Sequence, residues 1–378
     1  MKLVNMTIQE IITKCQKVGS RIFCIGAGKG FRQFEQGFQM FSIGDFVAGI
    51  ADNNSALWDT FLTTECGRCM EVMSIAEMQN RLCPRDIIVV TTLYLSEIMN
   101  QLEGVAQENP VVFYGFLIDN YCDTMLQNGE MDASVVYDER FFIPKVIHYC
   151  WFGRGRIPDR YRIWMESWKK YCPGYEIVEW NEDNYDITKN DYMMQAYEAR
   201  RWGFVPDYAR LDILYQHGGI YLDTDVEVLQ PLDDLLHQEA FAGFQEFVDV
   251  ALGLGFGAVP KHPLLKEMRD EYVNLSFRYS DRTLNLVPSP YYQMQTLLRH
   301  GLARNGRFQC IAGMNIYPKI FFSPMNHHDR KIRSNRNSYL LHHYDGSWIK
   351  GNHKNAWEDL PEIYARMMES DMEDSQND

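Results

Sequence analysis

The chain has 378 residues, 46% of them hydrophobic and 23% charged, which is enough for two domains with cores of their own. Its formal net charge of -14 excludes the basic stripe of a nucleic-acid-binding protein, so an anionic substrate needs local cations or a metal. Nine cysteines, an odd number scattered through apolar contexts, argue against a disulfide framework and for a reducing, cytoplasmic setting.

Met1 to Gln16 is amphipathic, with Ile8, Ile11 and Ile12 on one face, and lacks the apolar core of a signal peptide. Short apolar runs follow at Ile22 to Ile25, Phe46 to Ala51, Asp86 to Thr91 and Val111 to Ile118, with Leu93 to Leu102 readable as a helix. This βαβ alternation predicts a mostly parallel, Rossmann-like sheet within residues 1–135. The first run ends in Gly26-Ala27-Gly28-Lys29-Gly30 and the second in Asp52, where a ribose-binding acid would lie. Gly26, Gly28 and Asp52 are therefore candidates for a nucleotide site. The third glycine of the dinucleotide fingerprint is missing, which favours a cofactor-free module for docking or oligomerisation over bound NAD or S-adenosylmethionine. Cys66-Gly67-Arg68-Cys69 is the single CxxC, and without a second ligand pair it reads as free thiols rather than zinc.

Residues 120 to 140 lose periodicity and turn polar, which predicts a boundary. Beyond it, Lys145 to Cys150 and Tyr175 to Trp180 read as strands and Pro158 to Tyr171 as a helix. Pro206 opens another helix that Gly218-Gly219 stops. No run reaches the ~18 apolar residues of a membrane span, so any contact with the inner membrane face would be peripheral. Residues 367–378 are acidic and read as a disordered tail.

The most informative stretch is Gly218-Gly219-Ile220-Tyr221-Leu222-Asp223-Thr224-Asp225. Two carboxylates at the end of an apolar run are costly to desolvate unless a cation or strong donors stand nearby. As i and i+2 of a strand they would share a face and address one ion. Hard oxygen ligands suit Mg²⁺ or Mn²⁺, which commonly bridge carboxylates and substrate phosphates. Upstream, Asp207 and Arg210 share a helical face at i, i+3.

The whole string Asp-x-x-Arg…Gly-Gly-x-Tyr-x-Asp-x-Asp resembles the sugar-nucleotide-binding region of glycosyltransferase family 32, a group that includes capsular polysaccharide transferases. The resemblance extends over about residues 143 to 350. It implies an α/β chain in which a GT-A-type nucleotide-sugar transferase domain, residues 140–366, follows the smaller Rossmann-like domain. It also implies Mn²⁺ or Mg²⁺ dependence, usually retention of configuration, a nucleotide diphosphate sugar donor and a saccharide or lipid-linked acceptor. By the same resemblance, Asp223 and Asp225 reach the ribose and the metal-bound diphosphate, Asp207 and Arg210 hold the donor sugar, and Tyr221 contacts the nucleotide. Trp151, in Ile147-His148-Tyr149-Cys150-Trp151-Phe152-Gly153, matches a tryptophan that stacks on uracil, which favours a UDP-sugar.

Near the C-terminus, His342-His343-Tyr344-Asp345-Gly346-Ser347-Trp348 matches the stretch that supplies a third metal ligand, assigned to His343, with Ser347 and Trp348 near the β-phosphate. Neighbouring histidines on a strand face opposite sides, so at most one serves the site. Phe256-Gly257-Ala258-Val259-Pro260 resembles a segment where glycine lets the backbone approach the sugar. The family's Gly-Pro before its last helix is represented only by Val287-Pro288-Ser289-Pro290, and Gln245, Glu246 and Asp249 are equal candidates for supporting the sugar. Two rival functions are a dinucleotide-dependent oxidoreductase or epimerase acting through the N-terminal glycines, for which residues 1–135 hold no Tyr-x-x-x-Lys, and a non-catalytic sugar-nucleotide-binding protein.

Overall fold

The computed structural model describes residues 3–102, 109–246, 248–326, 330–346 and 360–375. It divides into two compact units. The first comprises Met1–Asn128, Asn326–Lys331 and Ile349–Asp378, and the second Gly129–Met325 and Ile332–Trp348.

In the first unit, strands β1 (Ile22–Ile25), β2 (Val47–Ala51), β3 (Phe61–Thr63), β4 (Cys69–Met73), β5 (Ile87–Val90) and β6 (Val111–Phe113) form one sheet in the order β3-β4-β2-β1-β5-β6. All neighbours pair in parallel except β3 with β4. Helices α1 (Ile8–Val18), α2 (Lys29–Gly37), α3 (Ile75–Arg81), α4 (Leu95–Leu102) and α5 (Tyr114–Gln127) complete the alternation. The four residues of β1 and of β5 are all buried, as expected of central parallel strands covered on both faces. In α1, Ile8, Ile11, Ile12 and Cys15 face the core, and Thr7 and Glu10 form a reciprocal capping box.

Two expectations are corrected in this unit. The run from Val111 to Ile118 is a strand only as far as Phe113; from Tyr114 the chain is helical to Gln127. Most of that helix is buried, including Phe116, Leu117 and Ile118, so its apolar run carries no period to tell helix from strand. The C-terminal residues, expected to be a disordered tail from 367, are helical to Ser375 in α11 (Leu360–Ser375). Leu360, Tyr364 and Met367 recur at helical spacing and are buried, and the Tyr364 ring meets Phe116 edge-on at 4.8 Å. This apolar stripe groups α11 with the first unit.

The second unit holds β7 (Val146–Cys150), β8 (Glu176–Trp180), β9 (Gly219–Tyr221), β10 (Val226–Val228), β11 (Ala240–Gly243), β12 (Phe256–Ala258), β13 (Gln309–Ile311), β14 (Met314–Tyr317) and β15 (Leu340–His342). Seven of these make a mixed sheet, β13-β14-β11-β12-β9-β7-β8, and β10 pairs with β15 in a separate antiparallel ribbon. The helices are α6 (Asp159–Tyr171), α7 (Asp191–Glu198), α8 (Pro206–His217), α9 (Pro263–Asp270) and α10 (Ser289–Arg299). Because β7 and β9 run parallel, with Ile147 opposite Ile220 and His148 opposite Tyr221, their C-terminal ends emerge side by side. That register brings the loop after Cys150 and the turn after Tyr221 to one edge of the sheet.

Candidate active site

Helix α8 is buried along Asp207 to Leu214 and carries charge into the core. Pro206 opens it, its fixed φ suiting the first helical turn, and Gly218-Gly219 ends it. Both glycines have positive φ, 66° and 99°, and a Cβ on Gly219 would lie 2.8 Å from the Val146 carbonyl oxygen. Only glycine lets the chain reverse here and enter β9 directly against β7. His148 holds the same corner: Trp180 Nε1 donates to its Nδ1 at 3.0 Å, and its Nε2 lies 3.0 Å from the Gly218 carbonyl. Burial pulls the His148 pKa down to about 4, so the ring is neutral and its Nε2 proton is directed at that carbonyl.

Strand β9 stops at Tyr221. Asp223 and Asp225 therefore lie in the turn that leads to β10, closed by Val226 N–H donating to the Asp223 carbonyl at 3.1 Å, rather than on a strand face. The turn achieves what strand alternation was expected to achieve: oxygens of Asp223 and Asp225 and a ring nitrogen of His342 lie within 4.8 Å of one another. Two carboxylates and an imidazole are a donor set that fits a divalent cation.

Arg210 joins this cluster to Asp207. Its Nη1 lies 3.4 Å from Asp223 Oδ2, its Nη2 lies 3.2 Å from Asp207 Oδ1, and its Nε donates to the Pro206 carbonyl at 3.2 Å. The guanidinium also covers the Tyr221 ring at 5.2 Å. Burial opposes its charge, but Asp223, Tyr221 and Asp207 together keep its pKa above the ordinary arginine value. Burial pushes Asp207 up to about 7 against the pull of Arg210, and a hydrogen bond with Ser289, the first residue of α10, also acts on its carboxyl. Asp223 is raised by burial as well, with Arg210 opposing. The result is a chain of acid, arginine and acid, with a buried cation fixed beside the cluster of Asp223, Asp225 and His342.

Several expected site residues sit differently. Tyr221 is 1% exposed, sandwiched between Arg210 and Phe256, so it supports the guanidinium instead of presenting a face to a nucleotide. His343 turns away from the acidic pair: its Nε2 lies 3.0 Å from Glu227 Oε2, and its ring stacks on Trp164 at 4.1 Å. His342 takes the place expected of His343, because β15 pairs Val226 with His342 and alternation then sends the next side chain to the other face. Trp151 is half-buried at the end of β7, its Nε1 donating to the Gly155 carbonyl and its ring edge-on to Tyr161 at 6.0 Å. Ser347 and Trp348 lie outside the described residues. In the other unit, Asp52 accepts Ala27 N–H at 2.8 Å and Asn54 N–H at 2.8 Å, Gly26 follows β1, and Gly28 precedes α2.

Close backbone approach to the acidic turn falls at Gly253. Gly257 lies in buried β12 against Phe241, whereas a Cβ on Gly253 would come within 2.7 Å of Asp223 Oδ2 and 3.2 Å of Arg210 Nη1. Gly253 is held there because Leu252 N–H donates to Gln293 Oε1 on α10 at 3.1 Å. Neither Gly253 nor Gln293 carries a sequence signal. Gln245 and Asp249 close a loop of their own, Gln245 N–H donating to the Asp249 carbonyl at 2.7 Å.

Residues 158–242 match the family model described as "Glycosyltransferase sugar-binding region containing DXD motif". The segment is thus similar to a DXD-type glycosyltransferase sugar-binding region. It spans α6 to β11 and includes Asp207, Arg210, Asp223 and Asp225. Similar proteins include inositol phosphoceramide mannosyltransferase 1 of Schizosaccharomyces pombe, 28% identical over 204 residues, which cover 51% of this chain and 59% of that protein. Inositol phosphoceramide mannosyltransferase 3 of the same yeast is 26% identical over 168 residues, 43% of this chain and 47% of that protein. Human alpha-1,4-N-acetylglucosaminyltransferase is 35% identical over 81 residues, 21% and 22% of the two chains. The chain thus spans about half the length of the yeast relatives. Among the described residues, no helix is long and apolar enough to cross a membrane.

Proposed function

We propose that this protein is a metal-dependent glycosyltransferase that moves a hexose from a nucleotide diphosphate sugar to a glycan or lipid-linked saccharide, with retention at the anomeric carbon. The observation that carries the reading is Arg210, buried between Asp207 and Asp223 within the stretch that matches the sugar-binding region. A fixed guanidinium at that place would favour the charge that builds on a departing diphosphate, and Asp207 on the same helix would hold sugar hydroxyls. Mn²⁺ or Mg²⁺ bound at Asp223 and Asp225 would supply further charge neutralisation of the leaving group. The half-buried Trp151, at the strand end beside the acidic turn, supports a uracil stack and so a UDP-sugar. The names of the yeast relatives support hexose transfer to a lipid-borne acceptor. A cytoplasmic site of action at the inner membrane face belongs to the same reading.

The oxidoreductase alternative is opposed by the first βα loop of the other unit, where the Ala27 N–H that would meet a pyrophosphate already serves Asp52. A thermal-shift panel of UDP-, GDP- and dinucleotide ligands, each with and without Mn²⁺, separates the readings. Stabilisation by UDP-hexoses that depends on Mn²⁺ and is lost in Asp225→Asn is the expected outcome. Stabilisation by dinucleotides alone would contradict it.

A further inference from the structure

Away from the acidic turn, the second unit holds a cavity of about 610 Å³, within the ~300–1,000 Å³ usual for ligand sites. One wall is the run of residues 132–137, and the other is formed by Asp234, Arg336 and Tyr339. Both walls are pinned. Val136 N–H donates to the Tyr317 hydroxyl at 3.4 Å, and the Tyr137 ring meets His237 at 4.8 Å, which hold the first. In the second, Ser338 N–H donates to the Asn335 carbonyl at 3.0 Å, Ser338 Oγ to the Ile320 carbonyl at 2.8 Å, and Gln230 Nε2 to the Arg336 carbonyl at 2.9 Å. The Tyr339 hydroxyl donates to Asp234 Oδ2 at 3.1 Å and fixes that carboxylate.

The lining has polar groups to spare. Asp132 and Arg336 are exposed, and neither side chain has an ion-pair or hydrogen-bond partner among the described residues. The main chain of Ala133, Ser134 and Val135 makes no hydrogen bond within the described chain. Tyr137 is 76% exposed, so ring surface is open as well.

These groups select a ligand chemistry. Two carboxylates oppose a phosphate or other anion, as does the net charge of -14. Arg336 opposes a metal ion, and Asp132 and Asp234 belong to no group of three metal-ligating side chains among the described residues. A neutral polyol fits both signs of charge: carboxylates and main-chain carbonyls accept from its hydroxyls, and the guanidinium and main-chain N–H groups donate to them. The open Tyr137 ring adds an apolar face for the C–H groups of a pyranose. The cavity is also tied to the acidic turn by one ribbon. Strand β10 leads out of that turn, and Leu229 N–H, just past β10, donates to the Tyr339 carbonyl at 2.9 Å. From Asp225 to Leu229 the extended chain covers ~13 Å.

We propose that this cavity is a second saccharide site, which takes a neutral sugar unit away from the point of transfer. That the sugar belongs to the acceptor glycan rests on the glycosyltransferase reading above; the binding itself does not.

The test is saturation-transfer NMR of the full-length protein with neutral trisaccharides of mannose, glucose and galactose, in the presence of UDP and Mn²⁺, followed by titration of the best binder. Arg336→Ala and Tyr137→Ala truncate exposed side chains that the fold does not need. Each should weaken that trisaccharide by at least ~10-fold, with UDP release from UDP-hexoses into water at the parent's rate. Binding of none of the three sugars, or binding that either variant retains in full, would overturn the site. Binding lost in Asp225→Asn and kept in Arg336→Ala would assign the sugar to the acidic turn and overturn it too. A parent that binds through Arg336 and Tyr137 yet releases no UDP from any donor would uphold the site while contradicting the proposed function.

Discussion

Asp207 is nearly sealed from solvent, and its carboxyl titrates near 7 where an ordinary aspartate sits at 3.8. A raised pKa means that the folded protein binds this proton more tightly than the unfolded chain does. Asp207 therefore favours folding at acid pH and disfavours it progressively as pH rises from 3.8 towards 7. Comparing urea midpoints of the parent and Asp207→Asn across that range should show the parent losing stability relative to the variant as pH rises. A constant difference would contradict the assignment. Arg210 is the other side of the same pair, and removing it would leave Asp207 and Asp223 facing each other without a cation. Arg210→Ala should cost about 3–5 kcal/mol of stability, so its kinetics alone would not isolate a role in transfer.

At the scale of elements, the site is made where α8, the turn after β9, and the short 3-10 turn at Leu252–Leu254 meet. The start and stop of α8 were legible in the sequence, because proline at a helix start and a Gly-Gly stop act locally. The acidic pair was legible as chemistry, though not as geometry: Asp223 and Asp225 converge through a turn, and a strand alternation that would have given the same outcome is absent. The choice between His342 and His343 needed the register of β10 on β15, which two adjacent histidines do not encode. Gly253 was invisible for a similar reason, since its constraint comes from Asp223 and Arg210, 30 and more residues away in the chain, and not from its neighbours. Gly253→Ala should push a methyl group against Asp223, lowering donor turnover at least ~10-fold while costing about 1–3 kcal/mol of stability. Turnover equal to that of the parent would remove this turn from the site.

At the scale of the whole molecule, the parallel alternation of residues 22 to 113 could be read from its apolar runs, because central strands buried on both faces are continuous in sequence. What followed could not. Tyr114 to Asp119 is buried too evenly to show a helical period, and the pairing of α11 with the first unit depends on contacts with residues such as Phe116 far back in the chain. The net charge of -14 gives the account its electrostatic logic: a protein repelling anions overall has to meet a diphosphate with local positive charge, and Arg210 is a buried cation at the acidic turn. The central claim is that this turn and Arg210 activate a nucleotide diphosphate sugar with the help of a divalent ion. The direct measurement is release of UDP from a panel of UDP-hexoses, with water as the surrogate acceptor, in the presence and absence of Mn²⁺. The account predicts release by the parent protein with Mn²⁺, none after chelation, and none from Asp225→Asn under either condition. Release that is indifferent to Mn²⁺ and undiminished in Asp225→Asn would contradict it.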